Sequence, residues 1–290
     1  MKKIGFILIS VLLLCSGCSK VKQALGSDKD QQQSDSTEVT DENNTIAEQE
    51  FTKVSFCSVD SMYRISASYP TFDNSSLNDS ILAYIDESFR GYREALAACK
   101  DAQKAFQQVG QASWESMKAE VDEVKNGWEV EEGEEFPDYL FNWEFDADIS
   151  VETIQPRYIT FADNGYQYQG GAHGIGWESG TTFDRQTGCR VGSEQLLKNT
   201  SGQAFQKLLR KKLTEYFDCE DDNLKDELFF DPDEQTIPNG NVYLSKDVLV
   251  MQYQSYEIAA YAMGRPSATF TFQEIKPFLT DLGLRLIGEK

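Results

Sequence analysis

Residues 141–153 read Phe141-Asn142-Trp143-Glu144-Phe145-Asp146-Ala147-Asp148-Ile149-Ser150-Val151-Glu152-Thr153, an alternation that never breaks step. Phe141, Trp143, Phe145, Ala147, Ile149, Val151 and Thr153 fall on one side. Asn142, Glu144, Asp146, Asp148, Ser150 and Glu152 fall on the other. Only a strand, with its two-residue repeat, sorts such a pattern onto two faces. At roughly 3.3 Å per residue it would run about 40 Å, long enough that a bulge is expected within it. The next runs, Arg157–Asp163 and Tyr166–Gly174, read as further strands that end at a glycine-rich corner. That corner carries the chain's single histidine, His173.

Working outward, Phe51–Cys57 and Met62–Tyr69 read as two strands around a tight turn near Asp60, closed by Pro70. Leu77, Ile81, Tyr84, Ile85, Phe89, Tyr92, Leu96 and Cys99 recur at helical spacing, and Ser76–Asp79 resembles a capping box. Ala102, Phe106 and Val109 continue the stripe, with a break expected at Gly110. Such a stripe is the buried face of an amphipathic helix rather than an aromatic ligand box. Beyond the corner, Asp184–Gly188 is a polar turn with glycine placed for positive φ. Ser193–Leu197 is a helical turn, and Thr200–Gln203 is a second capping box before the helix marked by Phe205, Leu208, Leu209, Leu213, Tyr216 and Phe217. Val242–Leu244 and Val248–Tyr253 form a hairpin, Ala268–Phe272 a last strand, and Gln273–Ile287 one or two short helices. This order predicts an α+β fold, a mainly antiparallel sheet with helices packed on one face.

The chain opens with Lys2-Lys3, an apolar run from Ile4 to Leu14, and Cys15-Ser16-Gly17-Cys18. The run is too short to span a membrane and reads as an export signal. It resembles a bacterial lipoprotein signal, which implies cleavage after residue 17 and acylation (palmitate-type) of Cys18. Cys15 departs from the leucine usual at that place. From residue 18 to 50 polar residues dominate, too few of them apolar to offset the entropy of ordering, and the segment reads as a tether. The acidic run Glu129–Glu135 with Pro137 reads as a boundary. The expected organisation is therefore signal 1–17, tether 18–50, a strand-and-helix part 51–135 and a carboxy-terminal domain 136–290.

The formal net charge of the 290-residue chain is −21. Loss of residues 1–17 removes two lysines and no acid and leaves −23. This balance excludes nucleic acid, whose phosphates require a basic footprint, and argues against polybasic docking on anionic lipid. It favours a cationic partner through long-range attraction.

Tyr168-Gln169-Gly170-Gly171-Ala172-His173-Gly174, Phe183-Asp184 with Thr187-Gly188, Leu196-Leu197, Val242-Tyr243-Leu244, Val248-Leu249-Val250 and Tyr256-Glu257-Ile258-Ala259-Ala260-Tyr261-Ala262 with Gly264 together resemble a known family. It is the extracytoplasmic domain of unknown function of RsiV-type anti-sigma factors, found also beside some peptidoglycan deacetylase domains. Residues near 51–125 resemble the companion domain that precedes it. The resemblance implies an envelope module, and in the RsiV relatives a module that binds lysozyme. The sequence lacks the relatives' sigma-binding part and their deacetylase domain, whose metal site needs more than one histidine.

No complete catalytic set is legible. His173 has the right pKa range for a general base, but the simpler role is structural. No CxxC and no second histidine supply a zinc site, no EF-hand spacing supplies calcium, and no cofactor is indicated. Asp146 and Asp148 imitate a glycosidase pair but read as a solvated face. Tyr166, Tyr168 and Trp177 flank the corner. Exposed, they suit a sugar ring or a protein partner; buried, they are core. Cys57, Cys99, Cys189 and Cys219 leave disulfides and free thiols both open. The sequence thus points to an extracytoplasmic, lipid-anchored module of the bacterial envelope (outer membrane in a Gram-negative cell). It binds a lysozyme-like protein or peptidoglycan through Tyr168, His173 and Trp177. A glycan hydrolase and a structural lipoprotein are the alternatives.

Overall fold

The computed structural model describes residues 50–130, 134–232 and 237–289. The export signal, Cys18 and the tether up to residue 49 lie outside the described residues.

Strands β1 (Phe51–Cys57) and β2 (Tyr63–Pro70) form the expected hairpin. Three helices follow: α1 (Ser75–Ser88), α2 (Tyr92–Cys99) and α3 (Ala102–Asn126). They return the chain to β3 (Glu144–Ile154), which lies parallel to β2. A parallel neighbour needs such a crossover, and the helices provide it. Strands β4 (Tyr158–Tyr168), β5 (Ile175–Asp184) and β6 (Arg190–Val191) then add antiparallel neighbours, giving a six-stranded sheet in the order β1-β2-β3-β4-β5-β6. The acidic run separates α3 from β3, yet the sheet continues unbroken across it.

The chain continues through α4 (Ser193–Leu196), α5 (Gln203–Phe217) and α6 (Leu224–Glu227). Strands β7 (Val242–Ser245), β8 (Val248–Gln252) and β9 (Ser267–Thr271) make a second, three-stranded antiparallel sheet, and α7 (Phe272–Ile275) and α8 (Asp281–Leu286) complete the fold. The architecture is α+β and mainly antiparallel, as the patterning predicts.

The alternation of β3 decides what each face of the large sheet buries. Ala147 and Ile149, with Ile65, Ala67, Ile159, Phe161 and Phe183, pack beneath Leu77, Ile81, Tyr84, Ile85, Phe89, Tyr92 and Phe106 of the helices. The opposite face is polar over β2 and β3. Over β4 and β5 it meets the second sheet, where Gly180 lies against the Tyr243 ring and leaves no room for a side chain. Buried Thr160 donates to the Leu244 carbonyl at 2.6 Å, and the Leu244 amide donates to Thr182 at 2.9 Å. These bonds satisfy polar groups that would otherwise be costly at that depth. The second core gathers Leu209, Leu213, Leu244, Leu249, Met251 and Phe270 around α5 and the small sheet.

Several local expectations are corrected. The helical stripe breaks at Gly91 and Lys100, both with positive φ, and not at Gly110. Gly110 sits inside α3 against the Phe56 ring, where only a missing side chain permits contact. Asn74, not Ser76, caps α1 by accepting from the Ser76 and Leu77 amides. Helix α5 starts after Gly202 without a side-chain cap. Residues 138–141 form a short 3-10 turn, so β3 begins at Glu144, and the expected irregularity falls between Val151 and Thr153. The runs around 157–163 and 166–168 are one continuous strand. Cys57, Cys99, Cys189 and Cys219 are free thiols.

Candidate functional site

The loop 169–174 joins β4 to β5 at one end of the large sheet. Gly170 and Gly171 adopt φ of +86° and +92°, a region costly for other residues. A side chain on Gly170 would also strike the Leu140 carbonyl, so the turn at 138–141 closes against the corner. Gly174 is buried under the Tyr166 ring.

The Gly174 carbonyl is the hub of the site. It accepts from the Tyr261 hydroxyl at 3.0 Å, and His173 Nδ1 lies 3.0 Å from it. Facing a carbonyl, Nδ1 is the ring nitrogen that donates. Nε2 faces the Tyr256 hydroxyl at 3.5 Å. The His173 ring stacks on Tyr261 with centroids 4.2 Å apart and planes 22° apart, and Tyr256 leans on Tyr261 at 5.5 Å. Tyr256 is 51% exposed yet holds φ +68°. Its neighbours fix this backbone: the Gln254 amide donates to Glu257 at 2.7 Å, and the Asn239 amide donates to the same carboxylate.

The segment bearing both tyrosines is fastened to β5 by side-chain amides. On the edge of β5 away from β4, the short strand β6 covers only Thr182 and Phe183. Gln254 accepts from the Glu178 amide and donates to its carbonyl, and Asn241 donates to that carbonyl and accepts from the Gly180 amide. Arg265 reaches Glu178 at 3.5 Å. Around this frame Tyr166, Ile175 and Tyr139 are exposed. Burial raises the Tyr166 phenol above its ordinary pKa, with the nearby charges of Glu144 and Tyr261 adding to the effect.

The sequence-predicted residues separate here. His173 is at the centre. Tyr168 is half-buried and donates to the Gly171 carbonyl at 3.0 Å, so it braces the loop. Trp177 does not join them and is corrected to core. It pairs with Gly165, which puts it on the helix-facing side of the sheet, opposite Tyr166 and Tyr168. It is 7% exposed and tilted against Phe145 at 5.6 Å. Asp146 and Asp148 are equally committed elsewhere: Arg64 binds Asp146 at 2.7 Å and Glu144 at 2.9 Å, while Ser66 and Ser150 donate to Asp148. Among the described residues no group of three or more His, Cys, Asp or Glu is placed to hold a metal ion. Tyr256 and Tyr261 lie in a motif whose spacing carries no hint of the distant histidine.

The family comparisons divide the chain where the site joins it. Residues 57–176 match the model described as deacetylase PdaC, and residues 194–273 match the protein of unknown function DUF3298. His173, Gly174, Tyr166 and Tyr168 come from the first, and Tyr256, Tyr261 and Arg265 from the second. No curated protein matches the chain. Solved structures that share its fold include the following two. A DUF3298 family member from Bacteroides fragilis is 17% identical with a TM-score of 0.66, covering 84% of this chain and 98% of that one. A DUF3298 family protein from Pseudomonas aeruginosa is 12% identical with a TM-score of 0.52, covering 81% and 95%. Both matched families are of the extracytoplasmic type, in keeping with a cell-envelope associated module. No helix among the described residues is long and apolar enough to cross a membrane.

Proposed function

We propose that this chain is an envelope binding module, anchored through lipid on Cys18, that captures a cationic protein of the lysozyme type at the aromatic corner. One observation carries the reading. Tyr256 is held half in solvent, in a backbone conformation that costs a non-glycine residue about 1–2 kcal/mol, by contacts from both family segments. Strain of that kind persists where surrounding structure over-determines it and clusters at ligand contacts. Exposed tyrosines beside it supply large contact area at low entropic cost, the composition of interface hot spots. The charge of −23 left after loss of Lys2 and Lys3 supplies attraction for a basic partner.

A second reading, peptidoglycan glycan, is supported by the stacked faces of His173, Tyr261 and Tyr256, which suit a sugar ring. The hydrolase reading gains nothing from the corner, where His173 meets two tyrosines and a carbonyl rather than a carboxylate and a nucleophile. Biosensor titrations of the soluble domain with lysozyme and with peptidoglycan fragments test the proposal, alongside Tyr256→Ala. The variant is expected to weaken lysozyme binding at least tenfold with an unchanged melting temperature. Full lysozyme affinity in the variant would remove the corner from the interaction. Binding of fragments alone would transfer the site to glycan.

A further inference from the structure

At the opposite end of β4 and β5 from the aromatic corner, three guanidinium groups surround one cavity of about 300 Å³, lined by Pro156, Arg157, Arg185, Gln186 and Arg285. They arrive from separate parts of the fold. Arg157 precedes β4, Arg185 follows β5, and Arg285 comes from α8. The Arg185 amide donates to the Arg157 carbonyl at 2.9 Å, which holds the two turns side by side.

Two of the three arginines are fixed before any ligand arrives. Arg185 donates through Nη1 to the Gln155 carbonyl at 2.7 Å and lies over the Phe72 ring at 4.9 Å. Arg285 donates to Asp184 at 2.6 Å and to Gln186 at 3.1 Å. Arg157 is exposed. Only Arg285 has a carboxylate partner here, and among the described residues no ion pair involves Arg157 or Arg185. The cavity therefore keeps an excess of two positive charges on a molecule of net charge −21. Surface arginines in so acidic a chain would ordinarily find carboxylates, as Arg64, Arg93 and Arg190 do.

We propose that this cavity binds a compact tetrahedral oxyanion, a phosphate or the phosphate of a small ester. Guanidinium forks match phosphate oxygens bidentately, and three forks from three directions offer more donors than a planar carboxylate can accept. The two unneutralised charges match a dianion. The volume leaves room for a substituent beside the phosphate. Burial lowers the Arg185 guanidinium below its ordinary pKa, so an anion against it restores what solvent no longer supplies. An extended anionic membrane surface is disfavoured as the source of the phosphate by the protein's own charge.

Inorganic phosphate is the first probe, titrated by calorimetry at constant ionic strength against chloride, with glycerol phosphate, acetate and phosphatidic acid vesicles as further arms. Phosphate and glycerol phosphate are expected to bind one per chain. Arg157→Ala, whose side chain is exposed and lies against Gly288, is expected to weaken phosphate at least tenfold while leaving the ligand-free melting temperature nearly unchanged. Lys207→Ala, on α5 and outside the cavity, is expected to leave it unaltered. Heats no larger than those of chloride would overturn the site, as would wild-type phosphate affinity in Arg157→Ala. Acetate binding as tightly as phosphate would overturn the assignment to a tetrahedral anion, and vesicle binding without binding of soluble phosphate would overturn the small-ligand form.

Discussion

His173 and Tyr261 stack ring on ring at 4.2 Å while sharing the Gly174 carbonyl, so a loop of the large sheet and the connection between β8 and β9 of the small sheet hold each other in register. Neither ring alone would be fixed. The imidazole needs the carbonyl to orient its ring, and Tyr261 needs the imidazole to cover its face. Tyr256 rests on this pair, so its exposure is a product of the junction and not of a floppy loop.

Tyr256→Gly separates binding from folding. Glycine adopts φ +68° without the penalty of about 1–2 kcal/mol that tyrosine carries. Against that gain stand the entropy of glycine in the unfolded chain, about 0.5–1 kcal/mol, and one half-exposed ring contact. The terms nearly cancel, so urea denaturation should place the variant within about 1 kcal/mol of the parent. Partner binding should fall sharply. A loss of several kcal/mol in stability would show that Tyr256 is a structural residue.

Gly110→Ala sets helix propensity against packing. An alanine inside α3 should gain about 1 kcal/mol of helix propensity. Its methyl group would meet the Phe56 ring, and overpacking of that kind costs about 1–3 kcal/mol. Packing should win, lowering the denaturation midpoint. In the double variant Phe56→Leu with Gly110→Ala, most of the loss should be recovered. Additive losses in the pair would mean that the two sites do not touch in solution.

These cases also mark where the sequence was legible. The alternation of 144–151 announced a two-faced strand because every position there carries a side chain that votes. On β5 the votes are missing: Gly176 and Gly180 are silent, their places filled by Arg265 and Tyr243 from far along the chain. Trp177 therefore read as a neighbour of Tyr168 when it lies on the reverse face. The glycine corner was visible, and so was its histidine. Its partners were not, because Tyr261 meets the Gly174 carbonyl across 87 residues and no local period records such a contact. The arginine cavity was hidden for the same reason, being assembled from two turns and a terminal helix.

The start of α7 carries a pH dependence. Glu274 accepts from the Thr271 amide at 2.9 Å, pairs with Lys212 at 3.0 Å and accepts from the Thr271 hydroxyl. These contacts, the backbone amide foremost, hold its carboxyl down from 4.5 to about 2. A carboxylate depressed in the folded state contributes stability fully present above its unfolded pKa and lost as pH falls through the folded one. The contribution should therefore fade between pH 4.5 and about 2. Because Glu274 is partly exposed, its worth should be modest, ~0.5–1 kcal/mol. Glu274→Gln should cost about that much near neutrality and nothing at the acid end, measured by urea denaturation across the series. A constant cost at every pH would place the effect in packing rather than charge.

Salt should separate how a basic partner arrives from how it stays. A net charge of −21 draws a cation from a distance, and the acidic run that includes Glu129, Glu134 and Glu135 leads directly into the turn packed against the corner. Attraction of this range is screened as the Debye length shortens to about 8 Å at physiological ionic strength. Contacts at Tyr256 and its neighbours form only after encounter and are screened far less. Association with lysozyme on a biosensor should accordingly slow by tenfold or more from low to physiological salt, while dissociation changes little. Replacing Glu129, Glu131, Glu132, Glu134 and Glu135 by glutamine should reproduce that slowing at low salt without altering dissociation. If the replacement instead leaves association untouched, the run does not guide the partner. If lysozyme fails to bind even at low salt, where attraction is greatest, the cationic-protein reading falls and the glycan reading of the corner stands.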